Sequence, residues 1–205
     1  MFKLIFLFFF SYILGSIPFA LLVGLPQGVD PRKEGSKNPG ATNIARLLGK
    51  KWGIITFLGD SLKGVLALFI AFLFLDNFSY PKELILAGVA FFSVLGHLFS
   101  IFLKFKGGKG VATTIGVFLI LTPKAMLLCL GIFIIAVFLS NYVSVGSLLA
   151  TALLPLNIFI LRYPSEYFIC SLLLSILIWI KHKDNIKRLL KGEEKTWKKS
   201  KNDRK

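Results

Sequence analysis

Acidic residues are scarce in this chain of 205 residues: ten Asp and Glu stand against 25 Lys and Arg, a net charge of +15. Charge of either sign is sparse, at 17%, while 55% of the residues are apolar. Soluble domains of this length carry more charge and fewer apolar residues, so an ordinary soluble fold is excluded. Cysteine is nearly absent. Cys129 and Cys170 each lie inside an apolar run, which leaves no disulfide framework and no C-x-x-C site. They read as small apolar packing residues. Histidine occurs twice, at His97 and His182, with no metal-ligand cluster; neither a metal nor a cofactor is expected. A basic excess fits nucleic acid, an anionic membrane surface or phosphorylated ligands. In so apolar a chain the last two come first. No nucleic acid and no obligate protein partner is implied.

What the chain has in abundance is long apolar stretches, and its mean hydropathy is +0.74. The first 25 residues are apolar from Phe2 onward, with one Lys at position 3. A secretory signal has a shorter apolar region and a small-residue cleavage site. This stretch instead fills a bilayer core, which takes about 20 helical residues, and reads as a retained first helix. The other apolar runs cover 53–75, 84–103, 111–122, 124–140, 144–161 and 165–180. The expected fold is therefore an all-α integral membrane protein of about seven transmembrane helices. The fourth and fifth runs are short and split at Thr122-Pro123-Lys124; a single kinked helix is the alternative, since Pro removes a helix hydrogen bond.

Charge chooses between these readings. Residues 26–51, the 104–109 loop and the tail from Lys181 hold 6, 3 and 11 of the 25 Lys and Arg. Seven spans keep all three on one side, as the positive-inside tendency demands; six do not. The N-terminus is then outside and the C-terminus cytoplasmic, and residues 111–140 cross twice, with room for a tilted or half-inserted segment. Residues 1–194 read as one transmembrane domain. Residues 195–205 read as a basic, disordered tail attracted to anionic headgroups.

Four polar islands interrupt the apolar runs. The first is Gly35-Ser36-Lys37-Asn38-Pro39-Gly40-Ala41-Thr42-Asn43-Ile44-Ala45-Arg46-Leu47-Leu48-Gly49. Asn38 suits an N-cap, Pro39 a first helical position and Gly49 a helix end, which predicts a short helix near 39–48. Its Ala41, Ile44, Ala45 and Leu48 share a face, as in a helix lying in the membrane interface. Thr42, Asn43 and Arg46 share a polar side. A helix start with Ser36 and Asn38 before it is suited to an anion, and equally to a capped connector. The second island runs Lys104-Phe105-Lys106-Gly107-Gly108-Lys109-Gly110 into Val111. Its glycines permit close backbone approach, Lys109 adds charge, and a helix start follows. The Walker A spacing is missing, so a nucleotide is not implied. The third island places Ser144 at a helix start, as cap or ligand. The fourth places His182 and Asn185 three apart on one face of a continuing helix. Within the spans, Asp60 and Lys63 stand three apart as a paired strut in lipid. His97 lies near the end of its run, as a candidate base, a phosphate donor or an interhelical tie.

The runs GSKNPGATNIARLLG, GHLFSIFLKFKGGKGVAT, NYVSVGS and KHKDNIKRLLKGEE together resemble the bacterial acyl-phosphate:glycerol-3-phosphate acyltransferase family, over nearly the whole chain. Lys181 and Lys183 stand where relatives commonly carry Arg. The H-x-x-x-x-D motif of the CoA-dependent acyltransferases is missing: Phe102 follows His97 at that offset, and Lys187 follows His182. The resemblance implies acyl transfer from acyl phosphate to glycerol 3-phosphate, giving 1-acyl-glycerol 3-phosphate. It implies a multi-pass protein of the bacterial inner membrane with its site on the cytoplasmic side. Ser36, Arg46, His97, His182 and Asn185 are the expected catalytic residues. Asn38, Thr42, Lys104, Gly107, Gly108, Lys109, Gly110 and Ser144 are the expected phosphate binders, and Asp60, Lys63, Asn43 and Glu193 the supporting residues. The proton acceptor stays open between His97, His182 and a substrate phosphate, with direct transfer favoured over an acyl-Ser36 intermediate. An anion transporter and a noncatalytic anchor are the rival classes. Polar residues gathered at one face, without a repeat, count against transport.

Overall fold

A computed structural model describes residues 2–197, which fold as two compact units, one ending at Leu121 and one beginning at Thr122. Among the described residues all regular structure is helical. Five helical stretches are long and apolar enough to cross a membrane, and a sixth if the bent pair Ser165–Lys181 and Lys183–Leu190 counts as one. In lipid the helix satisfies its own backbone, which explains why apolar runs become helices whatever their propensity.

The first unit holds α1 (Phe2–Ser16), α2 (Phe19–Gly24), α3 (Ala41–Leu48), α4 (Lys50–Phe74), α5 (Lys82–Leu98) and α6 (Val111–Leu121). The expected continuous first helix is interrupted at Ile17-Pro18, because Pro18 lacks an N–H and its ring opposes the preceding turn. The carbonyls released there find side-chain donors. Ser100 Oγ donates to Ser16 O at 2.6 Å and Lys63 Nζ to Ile17 O at 2.9 Å. The α1–α5 contact is backbone to backbone: a Cβ on Gly15 would lie 1.9 Å from Ser93 O, and one on Gly96 2.2 Å from Tyr12 O. With no hydrophobic force between helices in lipid, such small-residue contacts supply the packing energy. Gly116 of α6 meets α4 in the same way at Ser61 O, and Ser61 Oγ donates to Ala112 O at 3.0 Å. Ala20, Val23 and Ile44, flanked by Leu48 and Trp52, pin α3 against its neighbours.

The short helix expected at 39–48 forms, but two residues later than its cap signals implied. Gly40 occupies the N-cap position and Asn38 lies outside the helix. Asn38 O instead accepts from Gly40 N in a tight turn. Gly49, at φ +94°, ends α3, and α4 begins at the next residue. The fourth apolar run is also shorter than a span. Helix α6 has 11 residues and rises about 16 Å, about half of a ~30 Å hydrocarbon core. The seven apolar segments are therefore all helical, but length and composition qualify five or six of them as crossings.

The second unit holds α7 (Pro123–Ser140), α8 (Val143–Ile160), α9 (Ser165–Lys181) and α10 (Lys183–Leu190). Pro123 takes the first turn of α7, so the fourth and fifth runs are separate helices and not one kinked helix. Phe138 and Leu139 are 75% and 77% exposed, an apolar surface that lipid covers. Pro155 inside α8 cannot bond Thr151 O; Ser175 Oγ of α9 donates to that carbonyl instead. At His182 the chain bends by 57° into α10. The boundary expected at residue 194 falls inside described chain: Trp197 N donates to Asn141 O at 2.8 Å. The rest of the expected tail, 198–205, lies outside the described residues.

Candidate active site

In the first unit the site is built from one turn of α4. Asp60 and Lys63 are buried with His97 of α5. Lys63 Nζ lies 2.9 Å from Asp60 Oδ1, 2.9 Å from Ile17 O and 2.9 Å from His97 Nδ1. Asp60 Oδ1 is 3.3 Å from the same ring nitrogen. The pair expected as a strut within α4 is thus a junction of three segments: α4, the Ile17-Pro18 break and α5. Charge at membrane depth is tolerable here because each group has partners. The same turn of α4 also receives Thr113 Oγ1, which donates to Asp60 O at 2.8 Å and fixes the start of α6.

The glycine-rich loop between α5 and α6 folds back onto His97. Gly108 N donates to His97 O at 3.0 Å. A Cβ on Gly107 would lie 2.1 Å from that carbonyl, and one on Gly108 2.3 Å from His97 Nε2 and 3.0 Å from Pro39 O. These glycines bring the second basic island against the first. Among the described residues, three of the five non-glycine residues at positive φ, Lys37, Lys104 and Phe105, lie in these two loops. Each costs about 1–2 kcal/mol of backbone strain, which packing elsewhere must offset. Lys37, Lys104 and Lys106 are exposed; Ser36, Asn38, Thr42, Arg46 and Lys109 are half-buried, and Gly110 is buried.

Asn43 organises the first loop. It is buried, its Oδ1 accepts from Ser36 N at 2.8 Å, and its Nδ2 donates to Pro31 O and Glu34 O at 3.0 Å each. It is thus a buried tie that holds Ser36, while Thr42 and Arg46 in the same helix are half-buried. Upstream, Asp30 receives Arg32, whose hydrogen bond pulls that carboxyl down to about 2.

The second unit gathers a separate polar cluster around Glu194. Its Oε1 accepts from Ser144 Oγ at 3.0 Å and from Asn185 Nδ2 at 2.6 Å, and its Oε2 accepts from Arg188 Nε at 2.7 Å. Burial opposes ionisation of Glu194, but the bonds from Asn185, Arg188 and Ser144 outweigh it and hold the carboxyl below its usual range. The supporting acid expected at Glu193 is exposed; its neighbour does the bonding. Nothing local separates two adjacent Glu, and only the turn at Gly192, φ +71°, decides which one faces inward. His182 is buried, and its Nδ1 lies 2.8 Å from Ile178 O. A carbonyl only accepts, so Nδ1 carries the proton.

Each unit thus holds a buried carboxylate and a buried histidine, Asp60 with His97 in the first and Glu194 with His182 in the second. The family model described as glycerol-3-phosphate acyltransferase matches residues 5–192, and the chain belongs to that family. A glycerol-3-phosphate acyltransferase of Desulfotalea psychrophila is 53% identical over 189 residues, covering 92% of this chain and 95% of the relative. One from Fusobacterium nucleatum is 44% identical over 189 residues, covering 92% and 95%. The fold is similar to a crystal structure of PlsY (YgiH), an integral membrane glycerol 3-phosphate acyltransferase, in its glycerol 3-phosphate form. The TM-score is 0.88 at 37% identity, over 96% of each chain. A second structure, in the lysophosphatidic acid form, gives 0.85 at 36% identity over 96% of each. The chain is a multi-pass membrane glycerol-3-phosphate acyltransferase.

Proposed function

We propose that this enzyme takes its acyl group from acyl phosphate and delivers it to the 1-hydroxyl of glycerol 3-phosphate, yielding 1-acyl-glycerol 3-phosphate and inorganic phosphate. The observation that carries this reading is the meeting of the two basic loops, where Gly108 lies between His97 Nε2 and Pro39 O. Lys37, Arg46, Lys104, Lys106 and Lys109 all belong to these loops and the helix that follows the first. So cationic a surface suits reactants that each carry phosphate.

Acyl phosphate is already activated, so positioning and charge stabilisation suffice. The hydroxyl oxygen bonds to the acyl carbon, and the carbon–oxygen bond to phosphate breaks with its electron pair on the departing phosphate. A substrate phosphate takes the hydroxyl proton. Backbone N–H groups at Gly107 and Gly110, with Lys104 and Lys109, hold glycerol 3-phosphate, while Gly108, whose N–H bonds His97 O, keeps the loop seated on that histidine. Ser36, Asn38, Thr42 and Arg46 orient the donor. Transfer is direct, and a Ser36 ester recovered after denaturing quench would overturn that step. The N-terminus lies outside, the C-terminus and the site face the cytoplasm, and the membrane is the bacterial inner membrane.

Purified enzyme supplied separately with acyl phosphate, acyl-CoA and acyl carrier protein, with glycerol 3-phosphate each time, tests the donor. Lysophosphatidic acid is expected with acyl phosphate alone. Product from either thioester would overturn the assignment.

A further inference from the structure

The Lys63 contacts have a proton count that decides what His97 can do. Asp60, Lys63 and His97 are 2%, 4% and 7% exposed, so water does not compete for these bonds. The Asp60 carboxylate 2.9 Å away favours the ammonium form of Lys63. An ammonium has three N–H donors and no acceptor. Its three neighbours at 2.9 Å are Ile17 O, Asp60 Oδ1 and His97 Nδ1. The first two are oxygens that only accept, so the third donor meets the lone pair of Nδ1. Nδ1 is therefore bare, and the neutral ring carries its proton on Nε2. Nε2 is the nitrogen at the junction of the two loops, within 2.3 Å of where a Gly108 Cβ would stand.

We infer that Lys63 and Asp60 are positioning residues that lock His97 as its Nε2–H tautomer, so that His97 donates a hydrogen bond at the loop junction and does not act as a base. The ligand chemistry follows: an Nε2–H donor recognises an oxyanion, such as a phosphate oxygen or the developing carbonyl oxyanion, and cannot accept a hydroxyl proton. Asp60 holds the ammonium in place, and the carbonyl released by the Pro18 break completes its coordination. The substrate identity rests on the acyltransfer reading above; the tautomer does not.

The test is a spectrum of the full-length protein in lipid nanodiscs with 15N-labelled histidine and no substrate. One-bond N–H correlations are expected to place the His97 proton on Nε2. A proton on Nδ1 would overturn the inference whatever the enzyme's donor proves to be. The Lys63→Met variant removes the donor to Nδ1 and leaves Asp60 Oδ1 facing it, so the proton should move to Nδ1. Retention of the wild-type tautomer in a folded Lys63→Met protein would also sink the idea, and if the variant does not fold, the wild-type spectrum decides alone. A structural strut would not move the proton. In the acyltransfer assay Lys63→Met should lower kcat by about tenfold or more, and His97→Gln, whose amide can still donate, should retain more activity than His97→Ala.

Discussion

Asn185 Nδ2 donates to Glu194 Oε1 over 2.6 Å, across a turn that reverses the chain after α10. The same carboxylate receives Arg188 and Ser144, so one acid near the chain end aligns residues from α8 and α10. Replacing Glu194 by Gln should therefore misalign three donors at once. An expected loss of about 1–3 kcal/mol follows from leaving buried partners unsatisfied, read by thermal unfolding in detergent. Glu193→Gln, at an exposed position, should stay within about 0.5 kcal/mol.

The same pair predicts a pH dependence. The Glu194 carboxyl is depressed in the folded protein, so its contribution is fully present above the unfolded value, about 4.3. It is lost as pH falls through the lower folded value. The stability gap between wild type and Glu194→Gln should hold at neutral pH and close as the solution is acidified below the ordinary Glu range.

Gly107→Ala should abolish most activity, because its Cβ would lie 2.1 Å from the His97 carbonyl, a backbone atom that cannot swing away. Gly131→Ala is the matched control in α7, where nothing lies within 4 Å of the new methyl group. Expression and activity of Gly131→Ala should match wild type, with Ala favouring the helix by up to about 1 kcal/mol.

Asn43→Ala should release the 28–40 loop. Its side chain receives Ser36 N and supplies Pro31 O and Glu34 O, and each bond left unmade at a buried group costs about 1–3 kcal/mol. Limited proteolysis should cut this loop faster in the variant, and Asn43→Asp, which keeps the acceptor but loses both donations, should not restore it.

Much of this was readable in advance. The apolar runs at 53–75, 84–103, 124–140, 144–161 and 165–180 correspond to α4, α5, α7, α8 and α9 within a few residues, because a long apolar run has one way to satisfy its backbone in lipid. The loops around Ser36 and Gly107 stood out by composition alone. Less readable were the break at Pro18, the shift of the α3 cap from Asn38 to Gly40 and the choice of Glu194 over Glu193. Each depends on one backbone turn, and successive residues of a helix differ by about 100° in direction. A shift of one position therefore exchanges a buried ligand for an exposed one.

The order of residues by itself determined that this protein lives in a membrane, is helical and carries its basic motifs in loops between apolar helices, since those properties follow from segment length, hydropathy and charge. Only the tertiary structure decided that Lys63 reaches a histidine 34 residues away and a carbonyl 46 residues away, and that Glu194 gathers Ser144, Asn185 and Arg188. A hydrogen bond requires a particular distance and direction, and these are set by how far helices approach and how each is rotated.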